Sequence, residues 1–395
     1  MSFPDKFNSG NNDLFRVLME LFSDPQKLQW ELASQLASIS SSADSPDTNI
    51  DPVIRSKFEE VFGASQALVL ANGQYLVGSP SVATPELVTP QQWAQATLQD
   101  WRDILTNVAS THSQPFSFEP AQMESAETPI DVASMFGQAA QALGPALFGI
   151  QIGSSIGNLA RSSFGNYDIP IPRGPHGQLR FVVPNIEKFA NDWSLPFEDL
   201  SLWVCTHEII VASLLDLVHV RQAIKEALRE YAENYSPDAQ ALQERLSSID
   251  IGDLTDISQM QSLFADPSLV TSTGPTPGQV QAMERSSALF SAITGYSGYC
   301  TDRICTHLLG SPGLLSEAFH RSRVEREGDL DYLDNFLGME TGQDQVDLGR
   351  SFIRGVLERS DESKLLDLWK DADHLPTPPE LEAPGLWIER VSFLG

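Results

Sequence analysis

Along this chain apolar residues recur at steps of three and four, the spacing that lays one hydrophobic stripe down a helix. Leu14, Val17, Leu18 and Leu21 form one such set, and Leu28, Trp30, Leu32 and Leu36 the next, so residues 12–41 read as helical. A polar run from Ser40 to Asp51 separates them from another helix starting near Pro52. Thr89 and Pro90 suit a cap and a first helical residue, and Trp93, Leu98, Trp101, Ile104 and Leu105 continue that helix. Residues 131–160 are rich in Ala, Gly, Ile and Leu. Gln138, Gln141, Pro145 and Gln151 argue against a membrane span there, and small residues at close spacing suit a tightly packed helix or helix pair. Further helices are predicted over 223–235, 239–246, 279–309, 312–325, 343–359 and 362–370, then a short one around Trp387 after proline-rich His374–Pro379.

One region reads as extended: Tyr167 to Pro172, a Pro-Arg-Gly-Pro-His-Gly turn, then Leu179 to Val183. A small β-hairpin is expected there, so the predicted fold class is mainly α with one hairpin. Between Ser110 and Pro129 the composition turns to Ser, Thr, Pro, Gln and Glu, a linker signature. The expected division is an N-terminal helical region, 1–128, and a main helical domain, 129–395.

Composition narrows the partners. Lysine and arginine total 25 against 53 acids, a net charge of −28, which repels phosphate backbones and anionic lipid headgroups. Nucleic acid and membrane surfaces are therefore excluded as expected partners. Three cysteines build no disulfide framework, and the opening residues lack the basic start and apolar run of a secretion signal, so the expected home is the cytoplasm.

The candidate chemistry lies in Leu202-Trp203-Val204-Cys205-Thr206-His207-Glu208-Ile209-Ile210-Val211. In H-E-x-x-H, two imidazoles four residues apart grip one Zn²⁺ from a single helix face, and the glutamate activates the metal-bound water. Here His207 and Glu208 are present, but Val211 stands at the second histidine and has no lone pair to give. The helix is signalled by Ser194 and Pro196 at its start and by Glu198 and Asp199 in its first turn. His207 also falls among apolar positions, so a hydrogen-bonded histidine on a buried face is the competing reading. His219, Glu284 and Asp302 are conceivable replacement ligands, and Cys300, Cys305 and His307 make a C-x4-C-x-H set of soft-metal type. Gly153-Ser154-Ser155-Ile156-Gly157 matches G-x-S-x-G, but within a helical run it lacks the strand that a nucleophile elbow needs.

Several stretches together resemble the zincin-like metallopeptidases and hydrolases common in actinobacteria, one branch of which is associated with deazaflavin-cofactor biosynthesis. They are Leu28-Gln29-Trp30-Glu31-Leu32-Ala33, Phe148-Gly149-Ile150-Gln151-Ile152-Gly153, Val182-Val183-Pro184-Asn185, Leu202 to Glu208, Phe336-Leu337-Gly338-Met339, Leu366-Asp367-Leu368-Trp369 and Leu375-Pro376-Thr377-Pro378. The resemblance implies a zincin-like helical core with a small sheet element beside the motif helix. It assigns His207 to the first zinc ligand and Glu208 to the catalytic base. The family's later glutamate-glycine pair, which supplies the third ligand, aligns with Thr294-Gly295, and its Val-Pro-Trp-Leu segment with Val218-His219-Val220-Arg221. With Val211 and Thr294 at two ligand positions, the expectation is a scaffold that binds a protein or peptide partner in the old cleft and holds no zinc. The alternative is an active zinc hydrolase using non-standard ligands.

Overall fold

The computed structural model describes residues 25–42, 49–78, 84–112, 148–173, 178–234, 275–310, 312–325, 334 and 336–394. The first helices are α1 (Pro25–Ser41), α2 (Pro52–Ala71), α3 (Pro90–Asp100) and α4 (Arg102–His112), followed by α5 over 148–160. Next come α6 (Val183–Asp192), α7 (Phe197–Asp216), α8 (Val218–Glu233), the 29-residue α9 (Pro277–Cys305) and α10 (Pro312–Glu325). The chain closes with α11 (Gln343–Leu357), the short α12 (Lys364–Asp367) and α13 (Pro378–Glu382), and α14 (Pro384–Leu394). The helical reading holds for the described residues. The boundary expected at 128/129 and the helix expected at 239–246 lie outside them.

Local chemistry sets the helix starts. Asp51 caps α2 through Val53 N–H, and Thr89 forms a reciprocal capping box with Gln92 at α3, as Thr276 does with Gln279 at α9. Ser194 plays a different part from the one expected. It takes φ +54° at the end of α6, where Leu195 N–H donates to the Ala190 carbonyl (2.8 Å) and Ser194 N–H to that of Asn191 (3.3 Å). That is a left-handed stop for α6, and Pro196 is the residue that leads into α7.

The extended region is also corrected. The two strands are β1 (Glu86–Val88) and β2 (Arg180–Val182), and they pair in parallel, with Leu87 opposite Phe181. Tyr167 to Arg173 is not a strand. Pro170 and Pro172 have no N–H to give a ladder, so β2 takes its partner from the segment before α3 instead of forming a hairpin. Phe181 carries this sheet into the core against Phe58 and Phe62 of α2 (centroids 5.1 and 5.6 Å).

Two helix crossings depend on glycine. Gly149, Gly153 and Gly157 of α5 meet Gln29, Ala33 and Ala37 of α1 in the same order, so the two helices run parallel with backbones nearly touching. The described part of the small-residue stretch, 148–160, is thus one tightly packed helix whose partner is α1, and Gly153 to Gly157 is part of that seam, with helix and not strand over 148–152 just before it. At the second crossing Gly295 of α9 lies against Gly349 of α11, and a Cβ on either would strike the other helix's backbone. α7 is packed between α2 and α9, with α6 and α8 beside it. No single described helix is long and apolar enough to cross a membrane; α7 and α8 would qualify only as a pair, and they are bent by 85° at Leu217.

At the C-terminal end the proline-rich segment is clamped. Trp387 donates its indole N–H to the His374 carbonyl (2.8 Å), and Arg390 makes a two-pronged ion pair with Glu380 (2.6 and 2.9 Å).

Candidate functional site

α7 turns His207 and Glu208 toward two different environments. The half-buried His207 ring stacks on Trp203 one turn earlier, with centroids 5.0 Å apart and planes 10° from parallel. Its Nε2 lies 3.1 Å from Ser297 Oγ on α9. Trp203 is itself fixed, donating its indole N–H to Asp302 Oδ1 (3.1 Å) and packing on Phe319 of α10 (4.5 Å). Burial, helped by the Arg323 guanidinium, lowers the His207 pKa to about 3, so the ring is neutral near pH 7. The serine-histidine contact is not a nucleophilic pair: Ser297 is fully buried, and a base with so low a pKa draws protons weakly.

Glu208 is 2% exposed, and both its oxygens face backbone. Asn166 N–H donates to Oε2 (2.9 Å) and Tyr167 N–H to Oε1 (3.0 Å). The two preceding amides, Phe164 and Gly165, donate to Asp168 Oδ2 (2.6 and 3.2 Å). Four successive amides are thus shared between two carboxyl groups, which fixes the loop 164–168 against α7. Gly165 is required there, because a Cβ would collide with the Glu208 carboxyl. Burial pushes Glu208 up to about 8 and the Asp168 carboxylate adds to this, while the Tyr167 amide, Arg173 and the Asn166 amide pull the other way.

The same loop is held from behind. Arg173, with a fully buried side chain, donates to the Asn166 carbonyl (2.8 and 3.0 Å) and to Thr97 Oγ1 (2.9 Å), and pairs with Asp100 (3.3 Å). Its guanidinium lies over the rings of Trp93 and Trp101 (5.1 and 5.3 Å). Trp93 donates its indole N–H to the Gly165 carbonyl (2.8 Å), and Asn185 ties down the Ala160 and Ser163 carbonyls (2.8 and 2.7 Å).

The other positions singled out in the sequence fall as follows. Val211, one turn beyond His207, is buried in the core at 1% exposure. Thr294 lines the same cleft as His207, but its hydroxyl donates back to the Phe290 carbonyl (2.8 Å). Ser297, one turn further along α9, is the residue that reaches His207, and Gly295 makes the crossing with α11. His207, Glu208 and Thr294 line one cleft of about 120 Å³, whose walls include Trp203, Phe290 and Phe319.

The replacement ligands do not converge on it. His219 lies past the 85° bend on α8, Glu284 is exposed near the start of α9, and Asp302 is engaged by Trp203. Cys300 and Cys305 are buried whereas His307 is exposed, so the C-x4-C-x-H set is split between the core and the surface. Among the described residues no three His, Cys, Asp or Glu side chains gather in a way that could hold a metal ion. Sequence reasoning missed Ser297 and the loop 164–168. Ser297 was within reach of a one-turn step from Thr294, but nothing local marked the loop as the partner of Glu208.

Fold and site together define a mainly helical protein built around a histidine-glutamate helix. The chain belongs to the zincin-like metallopeptidase family, whose pattern matches residues 28–388. It is similar to a solved Chloroflexus aurantiacus protein described as a "putative hydrolase with a novel fold", with TM-score 0.54 and 19% identity over 92% of this chain and 98% of that one. At that identity the likeness shows the fold alone. No curated protein matches the chain. The family implies a zinc ion, and the described side chains at these positions do not fit one: an imidazole with Nε2 facing Ser297, a carboxyl group engaged by amides, a valine and a self-bonded threonine.

Proposed function

We propose that this chain is a zincin scaffold without its metal centre, acting as a binding protein for a peptide or protein partner in the cleft beside His207. The observation that carries the reading is the double engagement of the motif. The Nε2 that would bind zinc faces Ser297 Oγ, and the carboxylate that would activate water is occupied by the Asn166 and Tyr167 amides. Val211 and Thr294 add no ligand. One neutral imidazole does not hold zinc tightly against water. The cleft itself persists, with aromatic walls from Trp203, Phe290 and Phe319 that suit an apolar side chain.

The test is metal content by mass spectrometry on untagged protein purified without added metal, beside a His207→Ala control. The expected result is zinc well below one per chain in both, with both folding normally. One zinc per chain that disappears in the variant sinks the reading and points to an active hydrolase.

A further inference from the structure

The geometry points to a definite occupant for the cleft: the phenol ring of a tyrosine side chain, carried by a peptide or protein partner and held through His207 Nδ1. This deepens the binding reading above and rests on it.

Most polar groups of the cleft are already bonded within the protein. Asp168 and Glu208 accept from the amides of loop 164–168, and Asp334 from the Thr341 amide (2.9 Å) and hydroxyl (2.7 Å). The hydroxyls of Ser162, Ser163 and Thr294 donate to helix carbonyls. Arg323 has a partner within the protein, and Asn158 and Arg350 are exposed.

His207 differs from all of these. The half-buried ring lines the cleft, and its Nε2 is turned to Ser297 Oγ at 3.1 Å. Its other nitrogen, Nδ1, has no hydrogen-bond partner among the described residues. A neutral imidazole carries one N–H and one lone pair, so Nδ1 donates or accepts according to the role Ser297 takes. The Ser297 hydroxyl has two acceptors in reach, His207 Nε2 and the Thr294 carbonyl (3.3 Å), so both tautomers are open. A hydroxyl on the ligand serves either tautomer, because it both donates and accepts. An indole N–H serves only one of them, and a hydrocarbon side chain leaves Nδ1 unbonded.

The walls decide what carries that hydroxyl. Trp203, Phe290, Phe319 and Val346 are apolar surfaces, and the His207 ring lies flat on Trp203. At about 120 Å³ the cleft has room for one side chain and not for a helix or a strand. Serine and threonine would bring a hydroxyl but leave the aromatic walls uncovered. Tyrosine brings an apolar ring with a hydroxyl at its far end, which matches a wall of rings with one polar atom in it.

The experiment is calorimetric titration of the full chain with acetyl-Ala-Tyr-Ala-amide and acetyl-Ala-Phe-Ala-amide, with p-cresol as the free-phenol arm. Zinc is measured on the same sample. The tyrosine peptide is expected to bind about tenfold more tightly than the phenylalanine peptide, the difference made by one hydroxyl paired with Nδ1. His207→Phe keeps a ring in place, removes both nitrogens and should abolish that preference. Its melting temperature is recorded alongside, and the comparison of the two peptides on the unaltered chain stands if this variant fails to fold. Equal binding of the two peptides, no binding of either, or an unaltered preference in folded His207→Phe overturns the inference. Binding of p-cresol as tight as that of the tyrosine peptide overturns the peptide as occupant in favour of a free phenol. Stoichiometric zinc on His207 overturns the binding reading beneath it, a distinct failure.

Discussion

Glu208→Ala will destabilise the protein by about 3 kcal/mol, because it strands the Asn166 and Tyr167 amides in a dry interior without an acceptor. Glu208→Gln will cost less, since the amide oxygen can still accept one of the two bonds while its NH₂ group faces the other donor. Chemical denaturation of the three proteins at pH 7 gives the order. A glutamate whose only task is to activate water would leave stability untouched in both variants, so equal stability of all three defeats the structural role assigned here. Loop 164–168 should loosen first, visible as faster hydrogen exchange at its amides.

The same residue sets a pH dependence. Burial raises the Glu208 pKa from 4.5 to about 8, so between those values the folded protein binds a proton that the unfolded chain has released. Stability from this group therefore falls as pH rises from about 4.5 to about 8 and is level outside that window. The expected result is a melting temperature that declines across the window in the parent and declines less in Glu208→Gln. Parallel profiles for the two proteins would remove Glu208 as the titrating group.

The second large effect belongs to the crossing of α9 and α11. Gly349→Ala sets a methyl group against the Ser291 carbonyl and the Gly295 backbone, where only backbone can yield. The expected cost is about 3 kcal/mol, the upper range for forcing atoms into a packed interior. Gly295→Ala strains the same contact from the other side, so the double variant should lose less than the sum of the singles. Thermal melts of the four proteins test this, and strict additivity would mean the helices do not share one contact. Because Thr294 and Gly298 line the cleft on α9 and Val346 and Arg350 line it on α11, a forced separation should also widen the cleft.

Local signals carried much of this fold. The three- and four-residue apolar spacing placed the helices, and Thr89 with Pro90 marked the start of α3, because caps and helix stripes are fixed by residues close in sequence. The small-residue stretch 131–160 announced a tightly packed helix or helix pair, since only small side chains allow two backbones to approach, and its described part, α5, packs so on α1. The Leu179–Val183 run announced a strand but not its partner. Pairing depends on what the rest of the fold brings alongside, and a segment some ninety positions earlier supplied β1.

At the site the division is sharper. The sequence by itself determined the residue types: His207 and Glu208 present, Val211 at the second histidine of H-E-x-x-H, and Thr294 at the position the resemblance aligns with a third ligand. A ligand set is a matter of residue types, and a valine at that position is legible without coordinates. Only the tertiary structure decided what the two remaining motif residues do. Ser297 meets His207 from α9, and the loop 164–168 meets Glu208 across 41 and 42 positions of chain, neither encoded in the motif's spacing. The physical reason is that a buried polar group must find a partner wherever the packing delivers one, and that partner is chosen by the fold and not by the neighbouring residues.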